Sequence, residues 1–506
     1  MRRLGTWLLV LMACAPVRAG CLVAFADANG DGARQSPEQA VPGVRFMAGA
    51  RLQAGDARGR AALDAGEDWL VIKPAGFALP VAGDGLPVLR VRDLPQRGGC
   101  RQLALRPQDP RDTLDVLVFG DPQPKSLVDV GYFERDIIQP LLAGPRAQLG
   151  LSLGDIVDDR PQLYPAVKAA MARLRTPWLH VPGNHDVDLD AHDDAGALHS
   201  FRAAFGADSF AWEEAQASFV VLDDVVSRFD EGGHRYIGGL REDQFAFLEV
   251  YLPSLPRQRL LVLALHIPLF EAPGRDTFRD ADRERLFALL QDFPQVLVLS
   301  AHTHVQQHVW HGPASGWHGS MPLHEYNVGA TCGAFWSGVK DARGIPDATM
   351  ADGTPNGHAL LRVQADGRYA LDYRPAAGAA HPRIGLHAPR VLRRGAYPAW
   401  GVYANVWMGM DDSRVEFRID DGPWQPMRKV LQPDPALLAE NARDDAAGEL
   451  RGYDRSPEAV PSTHLWRAAL PTDLAAGEHQ VTVRAFDRWQ GEATSSIRYR
   501  LEDAAP

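Results

Sequence analysis

Five short apolar runs, each stopped by residues able to ligate a metal or carry a proton, constrain this chain more than anything else in it. Residues 114–119 are stopped by Gly120 and Asp121, with Gln123 close behind. Residues 148–153 are stopped by Gly154 and Asp155, with Asp158 behind, and 178–182 by Gly183, Asn184, His185 and Asp186. Residues 260–265 run into His266, and 296–299 into Ala301, His302, Thr303 and His304. Runs of this length and composition are buried strands. Between them, 162–174 carries Leu163, Val167, Ala170, Met171 and Leu174 on one helical face, and 242–252 carries Phe245, Leu248 and Leu252. Residues 283–290 are helical by the same criterion, and 218–222 is a further strand. Strands alternating with helices predict an α/β region, and in such sheets ligands bind beyond the carboxyl ends of the strands. One Asp at a strand end is ordinarily a turn or cap residue. Turn chemistry does not account for nearly every strand of one region ending this way, so the set reads as one site.

The 506 residues exceed what a single core fills. Before the α/β region lie short β-runs at 22–25, 44–46, 69–72 and 88–91, separated by Gly, Pro and Asp. The composition turns linker-like at 106–110 and again at 375–380. Beyond it, 402–407, 414–419, 479–484 and 495–501 alternate with period two, as sheets with one wet face do. The expected architecture is multidomain: a central α/β region over 113–375, flanked by small β-sandwich domains at 20–108 and 383–506.

Arg2 and Arg3, an apolar stretch over 7–13 and the small residues around Ala19 read as a signal peptide over 1–19. A lipid-bearing Cys14 is the alternative. No run is long enough to span a bilayer comfortably. The mature chain is therefore expected in the periplasm or outside the cell, where a Cys21–Cys100 disulfide is plausible chemistry; two reduced thiols are the other reading. Cys332 has no evident partner and reads as a packing residue. A net charge of −11 with no basic block argues against nucleic-acid scaffold binding. Asp27, Asn29, Asp31 and Glu38, with Gly32, fit the oxygen spacing of a calcium loop, an acidic turn being the alternative.

The order Asp-x-Gln, Gly-Asp-x-x-Asp, Gly-Asn-His-Asp, His and His-x-His resembles that of the calcineurin-like metallophosphoesterase superfamily, over roughly 114–375. Residues 329–338 and 352–357 resemble segments of an exported bacterial subfamily with a β-domain at each end. The resemblance implies a central α/β metallophosphoesterase sandwich and two divalent metal ions, of the Mn, Fe or Zn type. Asp121, Gln123 and His304 would hold the first metal, and Asn184, His266 and His302 the second, with Asp155 bridging. Metal-activated water would then hydrolyse a phosphate mono- or diester. His185 would protonate the leaving oxygen, oriented by Asp158. Two departures stand out. Many members have His where this chain has Gln123, and an amide oxygen is a weaker, harder ligand than imidazole. Ala301 replaces the glycine usual before His-x-His. His234 is a substrate-contact candidate. Trp317, Phe335 and Trp336 either wall the substrate or pack. The competing reading is an envelope- or glycan-binding protein whose site has degenerated at Gln123; cell-envelope association suits either.

Overall fold

The structure is a computed structural model, and it describes residues 19–83, 85–95, 99–270, 277–376, 383–397 and 400–504. The signal-peptide reading over 1–18, with Cys14, and most of the linker at 375–380 lie outside the described residues.

The buried apolar runs become the parallel strands of two sheets. The five-stranded sheet has the order Trp178–Val181, Leu149–Leu153, Thr113–Phe119, Gly357–Gln364, Tyr369–Pro375. Its first three strands are parallel, with Leu151 opposite Leu179 and Leu149 opposite Val116. The last two are antiparallel additions, and Gly357–Gln364 lies directly beside the Asp121 strand. The six-stranded sheet has the order Phe210–Glu213, Ala217–Val221, Leu260–Ala264, Val296–Ser300, Leu323–Asn327, Gln307–His311. Its four central strands are parallel. Every residue of Leu149–Leu153, Ala217–Val221 and Leu260–Ala264 is buried, as expected of parallel strands covered on both faces. The two sheets share one hydrophobic core. The expected helices form at Tyr164–Ala172, Glu242–Tyr251 and Asp280–Leu290. A helix at Leu127–Phe133, capped by Ser126 accepting from Asp129 N, has no counterpart in the sequence reading.

The N-terminal residues form two four-stranded sheets. In one, Ala19–Ala26 lies between Arg60–Asp64 and Arg101–Pro107. Cys21 and Cys100 are joined as a disulfide. These sheets contribute to the same apolar core as the α/β region. A fully buried lysine helps weld them: Lys73 Nζ donates to Glu213 O at 2.9 Å and pairs with Glu214 Oε1 at 2.6 Å. The C-terminal residues build a four-stranded and a five-stranded sheet around a separate core. The helix Pro435–Asp445 interrupts this β-grammar; Asp434 caps it by accepting from Ala436 N and Leu437 N. Among the described residues no helix is long and apolar enough to cross a membrane.

Candidate metal centre

Parallel strands deliver their carboxyl ends to one edge, and the turns there are made in unusual backbone. Asp121, Gln123, Asp155, His302 and His304 all have left-handed φ, of 41°, 40°, 47°, 70° and 51°. Non-glycine residues adopt this region at a cost, and such residues concentrate at functional sites. Two glycines permit the close approach. A Cβ on Gly154 (φ 87°) would lie 2.3 Å from His266 Nδ1, and one on Gly183 would lie 2.2 Å from both Asp155 N and Asp155 Oδ1. The strand ends are also stitched to one another: Gln123 N donates to Asp155 O at 3.0 Å, and Ala301 N to His266 O at 2.9 Å.

Four of the expected ligands converge. His266 Nε2 lies 3.0 Å from Asn184 Oδ1, 3.4 Å from Asp155 Oδ2 and 3.2 Å from His302 Nδ1. Ligand atoms of Asp155, His266 and His302 all fall within 4.8 Å of one another. His266 Nδ1 donates to Leu153 O at 2.8 Å, which leaves the Nε2 lone pair turned inward. Lone pairs crowded together in a buried place fit a shared cation. Beside this group, Asp121 Oδ1 faces His304 Nε2 at 3.8 Å, and His304 Nδ1 is fixed on Gly333 O at 2.7 Å. Gln123 stands alongside rather than within the group: its Nε2 donates to Asp158 Oδ1 at 3.4 Å and its Oε1 lies 3.9 Å from Cys332 Sγ. Cys332 is fully buried.

The electrostatics is that of a cavity demanding positive charge. Burial alone would push the His266 imidazolium down, yet Asp155, Asp121 and Asp224 raise it to about 10. Burial and the neighbouring His266 hold His302 at about 3. Asp155 is held below the ordinary carboxylate range, burial being outweighed by His266.

His185 is anchored through its backbone N–H on Asp155 Oδ1 at 2.8 Å. Its ring Nδ1 meets Asp159 Oδ1 at 3.0 Å and Asp158 Oδ1 at 3.3 Å. Asp158, the partner expected from sequence, is within reach, and Asp159 is the closer of the two. Burial lowers the His185 pKa, but Asp155, Asp159 and Asp158 together raise it above the usual imidazole value.

Two supporting carboxylates were assigned no task from sequence. Asp224, just beyond the strand Ala217–Val221, accepts from His266 N at 3.0 Å and Ile267 N at 2.9 Å. It follows the same strand-end pattern as the ligands, which is the signal that could have found it. Asp186 accepts from Gly183 N at 2.9 Å and Ile156 N at 3.0 Å, holding two strand ends together. Residues 330–337 cover the Asp121 turn: Thr331 N donates to Gly120 O, Cys332 N to Asp121 O, and Trp336 Nε1 to Pro122 O. Of the three aromatic candidates, Phe335 stacks on His304 at 4.5 Å, Trp336 is buried beneath, and Trp317 packs against Phe287 away from the site. The C-terminal residues reach the site's far side. Asp352 accepts from Gln306 N at 2.8 Å and meets His464 Nε2 at 3.1 Å.

The 27–38 loop carries the candidate calcium oxygens. Asp27 accepts from Gly30 N and Gly32 N, Asn29 from Asp31 N, Asp31 from Ala33 N, and Glu38 from Ala28 N and Gln35 N. Its oxygens are turned onto the loop's own amides. Among the described residues, its three carboxylates do not belong to the groups whose ligand atoms lie within 4.8 Å of one another.

Layered parallel strands with carboxylate, amide and imidazole groups at their ends define an α/β protein with a candidate metal site. Residues 114–306 match the family described as Calcineurin-like phosphoesterase, and residues 325–492 match the C terminal of Calcineurin-like phosphoesterase. The two matches together take in most of the chain and place it in the calcineurin-like phosphoesterase superfamily. It is 28% identical over 170 residues to a probable glycerophosphodiester phosphodiesterase GpdQ of Arcobacter nitrofigilis, a stretch that makes up 32% of this chain and 58% of that relative. A purple acid phosphatase, PPD1, from yellow lupin seeds has 13% identity and a TM-score of 0.38, over 71% of this chain and 68% of its own.

Proposed function

We propose that this chain is an exported binuclear metallophosphoesterase that hydrolyses a phosphate mono- or diester. Asn184, His266 and His302 would hold one divalent metal, Asp121, His304 and Gln123 the other, and Asp155 would serve both. The mixed oxygen and nitrogen donors suit Mn, Fe or Zn. Bound cations of this kind neutralise the phosphoryl oxygens and activate the attacking water. The chain's own residues do the rest. Leu153 O and Gly333 O fix the ring orientations of His266 and His304. Asp224 and Asp186 hold the strand ends in place. His185, with Nδ1 held by Asp159 and Asp158, is free to give a proton from Nε2 to the leaving oxygen, and its raised pKa keeps that proton available near neutrality.

One observation carries this reading: the convergence of Asp155, Asn184 and His302 on His266 Nε2, with Asp121 and His304 adjoining. In the reading the outer regions, 20–108 and 383–506, are β-sandwich domains around a catalytic domain at 113–375. A cleaved signal peptide sends the chain to the periplasm or beyond, and the Cys21–Cys100 disulfide supports an oxidising destination. The test is elemental analysis of metal-reconstituted protein, paired with turnover of 4-nitrophenyl phosphate and bis(4-nitrophenyl) phosphate. Two metal equivalents with turnover are expected. One equivalent and no turnover of either ester would overturn it in favour of an envelope-binding protein with a degenerate site.

A further inference from the structure

Each histidine of the His-x-His pair carries an aromatic ring that reaches solvent. Phe335 lies 4.5 Å from His304 at an interplanar angle of 26°, and is 46% exposed. Tyr236 lies 5.9 Å from His302, edge to face at 84°, and is 41% exposed. Large aromatic side chains bury far more area than this when their task is packing. Here one ring face stays wet beside the buried ligand set.

Both rings are presented by built supports. Phe335 and Trp336 are consecutive residues in left-handed backbone, at φ 56° and 54°. Bulky residues occupy that region only where surrounding structure imposes it. The imposition is visible: Trp336 is buried, its N donates to Cys332 O at 3.0 Å and its Nε1 to Pro122 O at 3.0 Å. The same turn that buries Trp336 turns Phe335 outward over His304. Tyr236 sits on the hairpin formed by Val225–Asp230 and Gly233–Gly238, a two-stranded sheet separate from the larger ones. Ser227 pairs with Tyr236 and Phe229 with His234, so their side chains share one face. On that face the rings of Phe229, His234 and Tyr236 run in a row, at 5.0 Å and 6.0 Å spacings, towards His302. The hairpin's base is pinned by Ser227 N on Asp194 Oδ1 at 2.6 Å and Gly239 N on Asp224 O at 3.0 Å. Asp224 is also the residue that holds His266 N, so ring and ligand set are fixed to a common support.

We propose that Phe335 and Tyr236 are two specificity-determining subsites, one for each ester substituent, and that the substrate class is a phosphodiester carrying flat-faced rings. The inference rests on the phosphoesterase reading above and deepens it. Ring faces bind other rings with little regard to their polar edges. A monoester has one substituent and would use one wall only, whereas a diester uses both. His234, whose Nε2 meets Ser227 Oγ at 3.1 Å, continues the Tyr236 wall outward for a longer substituent.

The test compares bis(4-nitrophenyl) phosphate, methyl 4-nitrophenyl phosphate and 4-nitrophenyl phosphate, which share one leaving group. Each is assayed with metal-loaded wild type, Tyr236→Ala, Phe335→Ala and Phe335→Leu. Comparing variant with wild type for each ester cancels its intrinsic reactivity. Both alanine variants are expected to keep their metal content; the one at the wall of the retained substituent should lose at least tenfold in kcat/KM on the bis-aryl ester, chiefly through KM, and much less on the methyl ester, while the one at the leaving-group wall should lose on both. Phe335→Leu, which keeps bulk but not the flat face, should fall between. Equal losses on the bis-aryl and methyl esters in both alanine variants, or no loss in either, with full metal content would overturn the proposal. Wild type that turns over none of the three esters would instead remove the phosphoesterase reading, and the proposal with it.

Discussion

Gly183→Ala isolates the steric demand of the site from every chemical one. Gly183 has no left-handed φ, so alanine brings no backbone penalty of its own. The new methyl would sit 2.2 Å from Asp155 N and Oδ1, and one of those atoms is main chain that no rotamer change can move. The turn after Leu149–Leu153 would have to yield by roughly 1 Å, and a misplacement of that size costs about 100-fold in rate, or ~2.7 kcal/mol of barrier. Overpacking a buried site adds about 1–3 kcal/mol of lost stability. The expected result is reduced metal content, turnover of bis(4-nitrophenyl) phosphate down by about 100-fold, and a lower urea midpoint. Gly131→Ala is the control. Gly131 lies in the helix Leu127–Phe133, and a Cβ there meets nothing within 4 Å. Alanine should stabilise it by about 0.5–1 kcal/mol and leave turnover alone. Wild-type metal content and turnover in Gly183→Ala would refute the argument that Asp155 is held where a Cβ cannot fit.

Replacing His185 by Ala should leave metal content intact and lower kcat by about 10²–10⁴-fold; full activity would remove its proton-donor role. The buried His180 ring is held at about 3, burial acting first and Lys168 second. The unfolded chain binds a proton here that the folded chain refuses, so stability should fall as pH drops from about 6.5 towards 3. His180→Leu should be worth more at pH 5 than at pH 8 in urea unfolding, and a pH-independent difference would contradict the assignment. Reducing Cys21–Cys100, which closes a loop across a sequence separation of 79, should cost about 4 kcal/mol in the N-terminal sheets. Unfolding that is insensitive to reductant would show that the bridge does not stabilise them.

The strands and their terminal residues were legible because burial and punctuation are local properties. Residues 149–153 and 260–264 could hardly be anything else. What escaped depends on backbone direction or distant pairing. Asp159 rather than Asp158 comes nearest His185 because Asp159 sits at φ 55°, which no spacing rule reveals. Nothing near Gly357–Gln364 in sequence says that it lies antiparallel to Thr113–Phe119. The Leu127–Phe133 helix escaped for a different reason: Leu127 and Val128 are exposed, so its apolar pattern points the wrong way. The Gln123 amide meets Asp158 and Cys332, contacts that depend on chain segments far away in sequence.

The Asp121 turn is finished by parts of the chain that come much later. Residues 330–337 cover it, Gly357–Gln364 supplies the neighbouring strand, and His464 reaches Asp352 to hold the backbone just after His304. A chain still emerging, with residue 304 made and residue 464 not, possesses every candidate ligand but not the contacts that finish the Asp121 turn. Contacts this far apart in sequence form late, after long loops have closed. On the proposed metal-centre reading, tight metal capture would wait on the end of synthesis.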